Sequence, residues 1–131
     1  MDRIEKAVAC HRQGLNCAQA VTVAFSDCYG MEEKVMARLS CAYGGGIGKQ
    51  GLTCGAVLGM CMLVGLEECR NDDITEAERR KNCYAVAKSL CDKFKKEYGS
   101  IDCKDIITMN PCREKVRLAA VIFNDYINGK G

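Results

Sequence analysis

Residues 53–69, TCGAVLGMCMLVGLEEC, carry the reading of the fold. The middle of this stretch, AVLGMCMLVGL, is apolar on nearly every side of a helix, the pattern of a helix enclosed by others. It is too short to span a bilayer, and glycine interrupts it. Thr53 is placed to cap this helix and Cys69 to end it. Just before it stands YGGGIGKQG, residues 43–51, too rich in glycine for regular structure because each glycine loses much backbone entropy on ordering. The chain therefore passes from loop to buried helix with Cys54 at the join.

Working outward, both flanks read as helices. Towards the N-terminus, residues 2–13 are helix-like and end before Gly14. Asn16, with Gln19 three residues on, forms a capping box. The run it opens puts Cys17, Val21, Ala24 and Cys28 on one face, until Gly30. Residues 31–42 form a short helix with Val35, Leu39 and Ala42 in line. Towards the C-terminus, RNDD is a loop and Thr75 with Glu78 is a second capping box. That helix carries Tyr84, Ala87, Cys91, Phe94 and Tyr98 at three-and-four spacing, until Gly99. SIDCKDIITMNPC, residues 100–112, is short and turn-rich. A last helix runs from about Pro111 to Asn128 with Val116, Ala120, Phe123 and Ile127 on one stripe. The expectation is an all-α bundle of five or six helices, one domain over residues 1–131. A glycine-rich loop leads into its central buried helix, and its many small residues allow close helix approach.

Composition narrows the function. Lys and Arg number 19 against 17 Asp and Glu, a net charge of +2. That balance gives no reason to expect nucleic acid or a charged membrane as partner. MDRIEKAVACHRQ has neither the apolar centre nor the cleavage site of a signal peptide. A cytoplasmic protein without membrane insertion is expected. Eleven cysteines are the unusual feature. An odd count, long helices and no export signal argue for a reducing compartment with most thiols free.

The thiols divide by position. Cys10, Cys28, Cys41, Cys61, Cys69, Cys83 and Cys91 lie inside helical runs or at their C-terminal ends, where cysteine packs as a small hydrophobe. Cys17 follows Asn16, Cys54 follows Thr53, Cys103 follows Asp102, and Cys112 follows Asn110-Pro111. All four are predicted in a first helical turn. Free backbone N–H groups and the positive end of the helix dipole there favour a thiolate, the reactive and metal-binding form. No C-x-x-C occurs, so neither a thioredoxin-type motif nor covalent c-type haem is supported. Any site must gather cysteines from distant points of the chain.

At these residues the sequence resembles a small bacterial family of proteins described as redox-active and labelled C-GCAxxG-C-C. Its CGAxxG element corresponds to Cys54-Gly55-Ala56-Val57-Leu58-Gly59. Its first cysteine corresponds to Cys17, in GLNCAQAV, and its later two to Cys103, in GSIDC, and Cys112, in NPC. The preceding GGGIGKQG is also similar, and the resemblance covers about residues 14–112. It implies a redox role for Cys17, Cys54, Cys103 and Cys112, without naming a substrate. The family is also similar to one domain of split-Soret cytochromes, which hold haem. This chain departs from that in having only one histidine, His11. It departs from its relatives in seven further cysteines and a short Cys103–Cys112 segment.

Other constellations point elsewhere less strongly. Gly46, Gly48 and Gly51 fit G-x-G-x-x-G and are the candidate cofactor-contacting positions. A dinucleotide fingerprint, however, needs a preceding strand, and MEEKVMARLSCAY reads as helix. Lys49 either attracts an anion near Cys54 or solvates the loop. His11 is adjacent to Cys10, and adjacent helical residues do not face each other, so a partly exposed surface histidine is expected. The leading expectation is thiol–disulfide exchange or electron transfer through the four cysteines, with Cys54 and either Cys17 or Cys103 cycling between dithiol and disulfide, and with an unidentified redox partner or small molecule. A thiol–disulfide oxidoreductase is one form of this, and a homodimer is compatible with it. The alternative is zinc or an iron–sulfur cluster held by the same four thiolates. The third reading is a binding module whose cysteines only pack.

Overall fold

A computed structural model describes residues 2–130 of the chain. Among them are seven α-helices: α1 (Arg3–Arg12), α2 (Cys17–Ala24), α3 (Glu33–Ser40), α4 (Gly55–Glu68), α5 (Glu76–Tyr98), α6 (Cys103–Ile106) and α7 (Cys112–Asp125). Short 3-10 turns follow α2 and α3, and a π turn, Tyr126–Lys130, closes the described chain. The protein is all-α, and no strand occurs among the described residues. Both capping boxes form: Asn16 with Gln19 opens α2, and Thr75 with Glu78 opens α5. None of the described helices is long and apolar enough to cross a membrane.

The core is layered around α2 and α4, which pack on each other along their length. Gly59 sets that approach. A Cβ there would lie 2.8 Å from the Ala18 carbonyl oxygen and 3.3 Å from Val21 Cβ. Only glycine lets the two backbones come so near. α4 buries Ala56, Val57, Met60, Leu63 and Val64, and α7 covers it with Val116, Ala119, Ala120 and Phe123. The Phe123 ring meets Phe25 edge-on at 5.0 Å, the attractive T-shaped arrangement. An Arg117–Glu5 ion pair links α7 to α1.

Two expected stripes are corrected. Val35 and Leu39 are exposed, and α3 instead buries Met36 and Ser40. Polar bonding turns the helix to that face. Ser40 Oγ lies 2.9 Å from Thr22 Oγ1, and Gln19 Nε2 donates to the Ala37 carbonyl at 3.0 Å. On α5 only Leu90 and Phe94 are fully buried, and Tyr84 is 68% exposed. The N-terminal half of α5 runs past the core, so its stripe meets partial cover only.

Candidate functional site

The site is built first by backbone pairing. Thr53 and Asp102 form an isolated antiparallel bridge. The Cys54 N–H donates to the Ile101 carbonyl at 2.6 Å, and the Cys103 N–H donates to the Leu52 carbonyl at 2.6 Å. These bonds pin the start of α4 to the start of α6, so Cys54 and Cys103 meet although they are far apart in sequence. The bridge corrects the expected cap. Thr53 is held extended, so the helix begins one residue later and Cys54 itself is the N-cap, at φ −53° and ψ 133°.

Cys17 reaches the same place because α4 opens on glycine. A Cβ on Gly55 would overlap the Cys17 sulfur and come within 2.9 Å of the Tyr43 carbonyl oxygen. The two glycines of the Cys54–Gly59 element thus have separate tasks. Gly55 admits a thiol, and Gly59 admits the neighbouring backbone. Cys17 and Cys103 each occupy the first residue of their helix, behind Asn16 and Asp102. Cys112 does the same behind Pro111, which replaces Asn110 as the cap.

All four thiols line one cavity of about 60 Å³, with Gly45, Gly55, Ile106, Ile107 and Lys115. Their exposure is graded. Cys112 is exposed, Cys17 is half-buried, and Cys103 and Cys54 are 9% and 4% exposed. Burial decides the ionisation of the inner two. It pushes Cys54 up to about 11, although the backbone N–H groups of Ala56 and Val57 pull the other way and the neighbouring thiols Cys17 and Cys103 add to the rise. Cys103 is also raised, chiefly by burial, then by Cys17 and Cys112, while Lys115 lowers it. The helix start was expected to ionise Cys54; desolvation at this depth outweighs it. Among the described residues, no three His, Cys, Asp or Glu side chains are grouped to hold a metal ion. As placed, the four thiols do not make a coordination shell.

The glycine loop roofs the cavity by coiling left-handed. Gly45, Gly46, Ile47, Gly48 and Lys49 have φ between 60° and 73° in succession. For β-branched Ile47 that conformation costs about 1–2 kcal/mol. Loop-internal bonds offset it, including Gly48 N–H to the Ala42 carbonyl at 2.8 Å and Leu52 N–H to the Gly46 carbonyl at 3.1 Å. Gly46 is buried, and a Cβ there would lie 2.8 Å from Cys103 Cβ. Gly51 packs near Lys104, whereas Gly48 faces open space. Among the described residues no strand precedes the loop, so the surroundings of a dinucleotide fingerprint are not found there. The bridge holds the end of the loop close to Cys103. His11 is half-buried on α1, and burial with nearby Arg113 lowers its pKa.

Sequence reasoning missed Lys115. It is 3% exposed, donates from Nζ to the Asn110 carbonyl at 3.1 Å, and lies 6.0 Å from the Tyr98 ring centre. No carboxylate pairs with it among the described residues. Its position three residues after Cys112 was the available signal, because residues at that interval share a helix face. A lysine beside the apolar Val116 stripe is a cation directed inward.

Residues 15–126 match the family described as Putative redox-active protein (C_GCAxxG_C_C). No curated protein and no solved structure matches the chain.

Proposed function

Since the chain belongs to the C_GCAxxG_C_C family, we propose that it performs thiol–disulfide exchange through Cys112 and Cys103, with Cys54 and Cys17 as a second pair. The observation that carries this reading is the single cavity lined by all four sulfur-bearing residues. Cys112 is the exposed one of the four and meets a partner first, and Cys103 is close enough for Cys112 to raise its pKa.

The exposed Cys112, as thiolate, attacks one sulfur of a partner disulfide. That S–S bond breaks, a mixed disulfide forms, and the first partner thiolate leaves and takes a proton from water. Cys103 gives up its proton and attacks the Cys112 sulfur, expelling the second partner thiolate. Two protein thiols are oxidised and one disulfide is reduced to two thiols. Lys115 stabilises the Cys103 thiolate during that step. Cys54, kept protonated by burial, does not attack from solution; it and Cys17 exchange with the Cys103–Cys112 disulfide from inside. A reducing compartment suits this resting dithiol state.

The test uses glutathione disulfide as the partner and peptide mapping as the readout. Cys103→Ser should trap glutathione on Cys112, while the unaltered protein passes on to a Cys103–Cys112 link. Equal trapping on Cys112 in both proteins would overturn the reading.

A further inference from the structure

A second set of thiols stands outside the cavity, where α4 and α5 pack side by side. The Cys61 and Cys91 sulfurs lie 3.6 Å apart. That is van der Waals contact, one short approach from the bonded distance of about 2.05 Å. Further along the same seam, Cys69 lies near enough to Cys83 to add to the rise in its pKa that burial causes. The register is regular. Cys61 to Cys69 on α4 spans the same number of residues as Cys83 to Cys91 on α5, and the helices run antiparallel. The interval is about two helical turns on each side, so the two pairs face each other like rungs. Chance placement of packing cysteines does not require that matched spacing.

The seam can be reached. Cys61, Cys83 and Cys91 are half-buried, and Cys69 is exposed at the end of α4. Its Cys83 end can also adjust, because the N-terminal half of α5 has no fully buried side chain to lock it against α4.

We propose that the α4–α5 seam is a second dithiol site, which takes low-molecular-weight disulfides as oxidants and closes as Cys61–Cys91 and Cys69–Cys83 disulfides. The proposal goes beyond the cavity reading and stands or falls separately from it. The sulfur contact of the first rung is symmetric, and either thiol can donate; the attacking role is given to Cys91, the member whose pKa the contact lowers. Cys91 thiolate attacks the small disulfide, forms a mixed disulfide and releases one small thiolate. Cys61 then loses its proton and attacks the Cys91 sulfur, and the second small thiolate leaves. Two protein thiols and one small disulfide become one protein disulfide and two small thiols. Cys69 and Cys83 react by the same two displacements.

The full chain, fully reduced and then incubated with glutathione disulfide, tests this. Remaining thiols are alkylated, the protein is digested without reductant, and linked peptides are identified. The expected result is Cys61 linked to Cys91 and Cys69 linked to Cys83. Cys91→Ser should return Cys61 as a free, alkylated thiol with the Cys69–Cys83 link retained. Replacing all four cavity cysteines with serine should leave both seam links in place; if that variant does not fold, the linkage map of the unaltered chain decides alone. Recovery of Cys61 and Cys91 unlinked, or linked to cavity cysteines, would overturn the proposal. Free Cys69 and Cys83 beside a formed Cys61–Cys91 link would overturn the second rung.

Discussion

The cavity and the seam both draw on α4 and use the same side chain, yet their surroundings are opposite. The cavity gathers its thiols from the starts of α2, α4, α6 and α7, under a left-handed loop and beside the buried cation Lys115. The seam takes its thiols from the body and end of α4 and the body of α5, where carboxylates are the charged neighbours. The contact with Cys61 lowers Cys91 while burial and Asp92 oppose that, and burial chiefly raises Cys83, with Cys69 and then Glu68 adding to it. A cation favours thiolate and a carboxylate opposes it. The difference teaches that cysteine content says little here, and that burial, helix position and the nearest charge together set how readily each thiol ionises.

The sharpest way to break the comparison is through glycine. Gly55→Ala places a Cβ against the Cys17 sulfur and the Tyr43 carbonyl. It should destabilise the fold by about 2–3 kcal/mol, the cost of overpacking a closed site. Gly65→Ala, on the same helix in open space, should stabilise it by about 0.5–1 kcal/mol through helix propensity. Urea unfolding of both variants measures the contrast; equal effects would show that the cavity is not tightly built.

Alkali gives the next largest effect. The folded Cys54 thiol ionises near 11, above its ordinary value of 9.0. Above that ordinary value the unfolded chain loses its proton first, so stability is full below about pH 9 and is lost as pH rises towards 11. Cys54 alone should account for about 2–3 kcal/mol of that loss, since each tenfold difference in proton affinity between the folded and unfolded chain is worth about 1.4 kcal/mol. Cys54→Ala should flatten that part of a stability profile measured by denaturant unfolding across pH.

Smaller effects should carry opposite signs at the two sites. Lys115→Met removes the cation that lowers Cys103, so Cys103 should alkylate more slowly while Cys91 is unchanged. Asp92→Asn removes a carboxylate that raises Cys91, so Cys91 should alkylate faster while Cys103 is unchanged. Residue-resolved alkylation followed by mass spectrometry reads both variants.

How much of this was legible follows from which interactions are local. Helices, capping boxes and the start positions of Cys17, Cys103 and Cys112 rest on neighbours within a few residues, and sequence spacing exposes them. The role of Cys54 as cap depended on Asp102, distant in sequence, holding Thr53 in a bridge. The face of α3 depended on Thr22 and Gln19 bonding to Ser40 and the Ala37 carbonyl. The ionisation of Cys54 depended on depth, which no local pattern reports. The seam escaped notice because each of its cysteines looks like a packing residue until α5 is laid against α4.

The most direct measurement is a redox titration of the intact chain in glutathione buffers, with the state of Cys17, Cys54, Cys103 and Cys112 read by alkylation and disulfide mapping at each potential. The account predicts that these four become linked only among themselves, with Cys103–Cys112 among the links. If they stay free while other cysteines oxidise, or pair outside the group, the shared cavity is not a redox site and the account is contradicted.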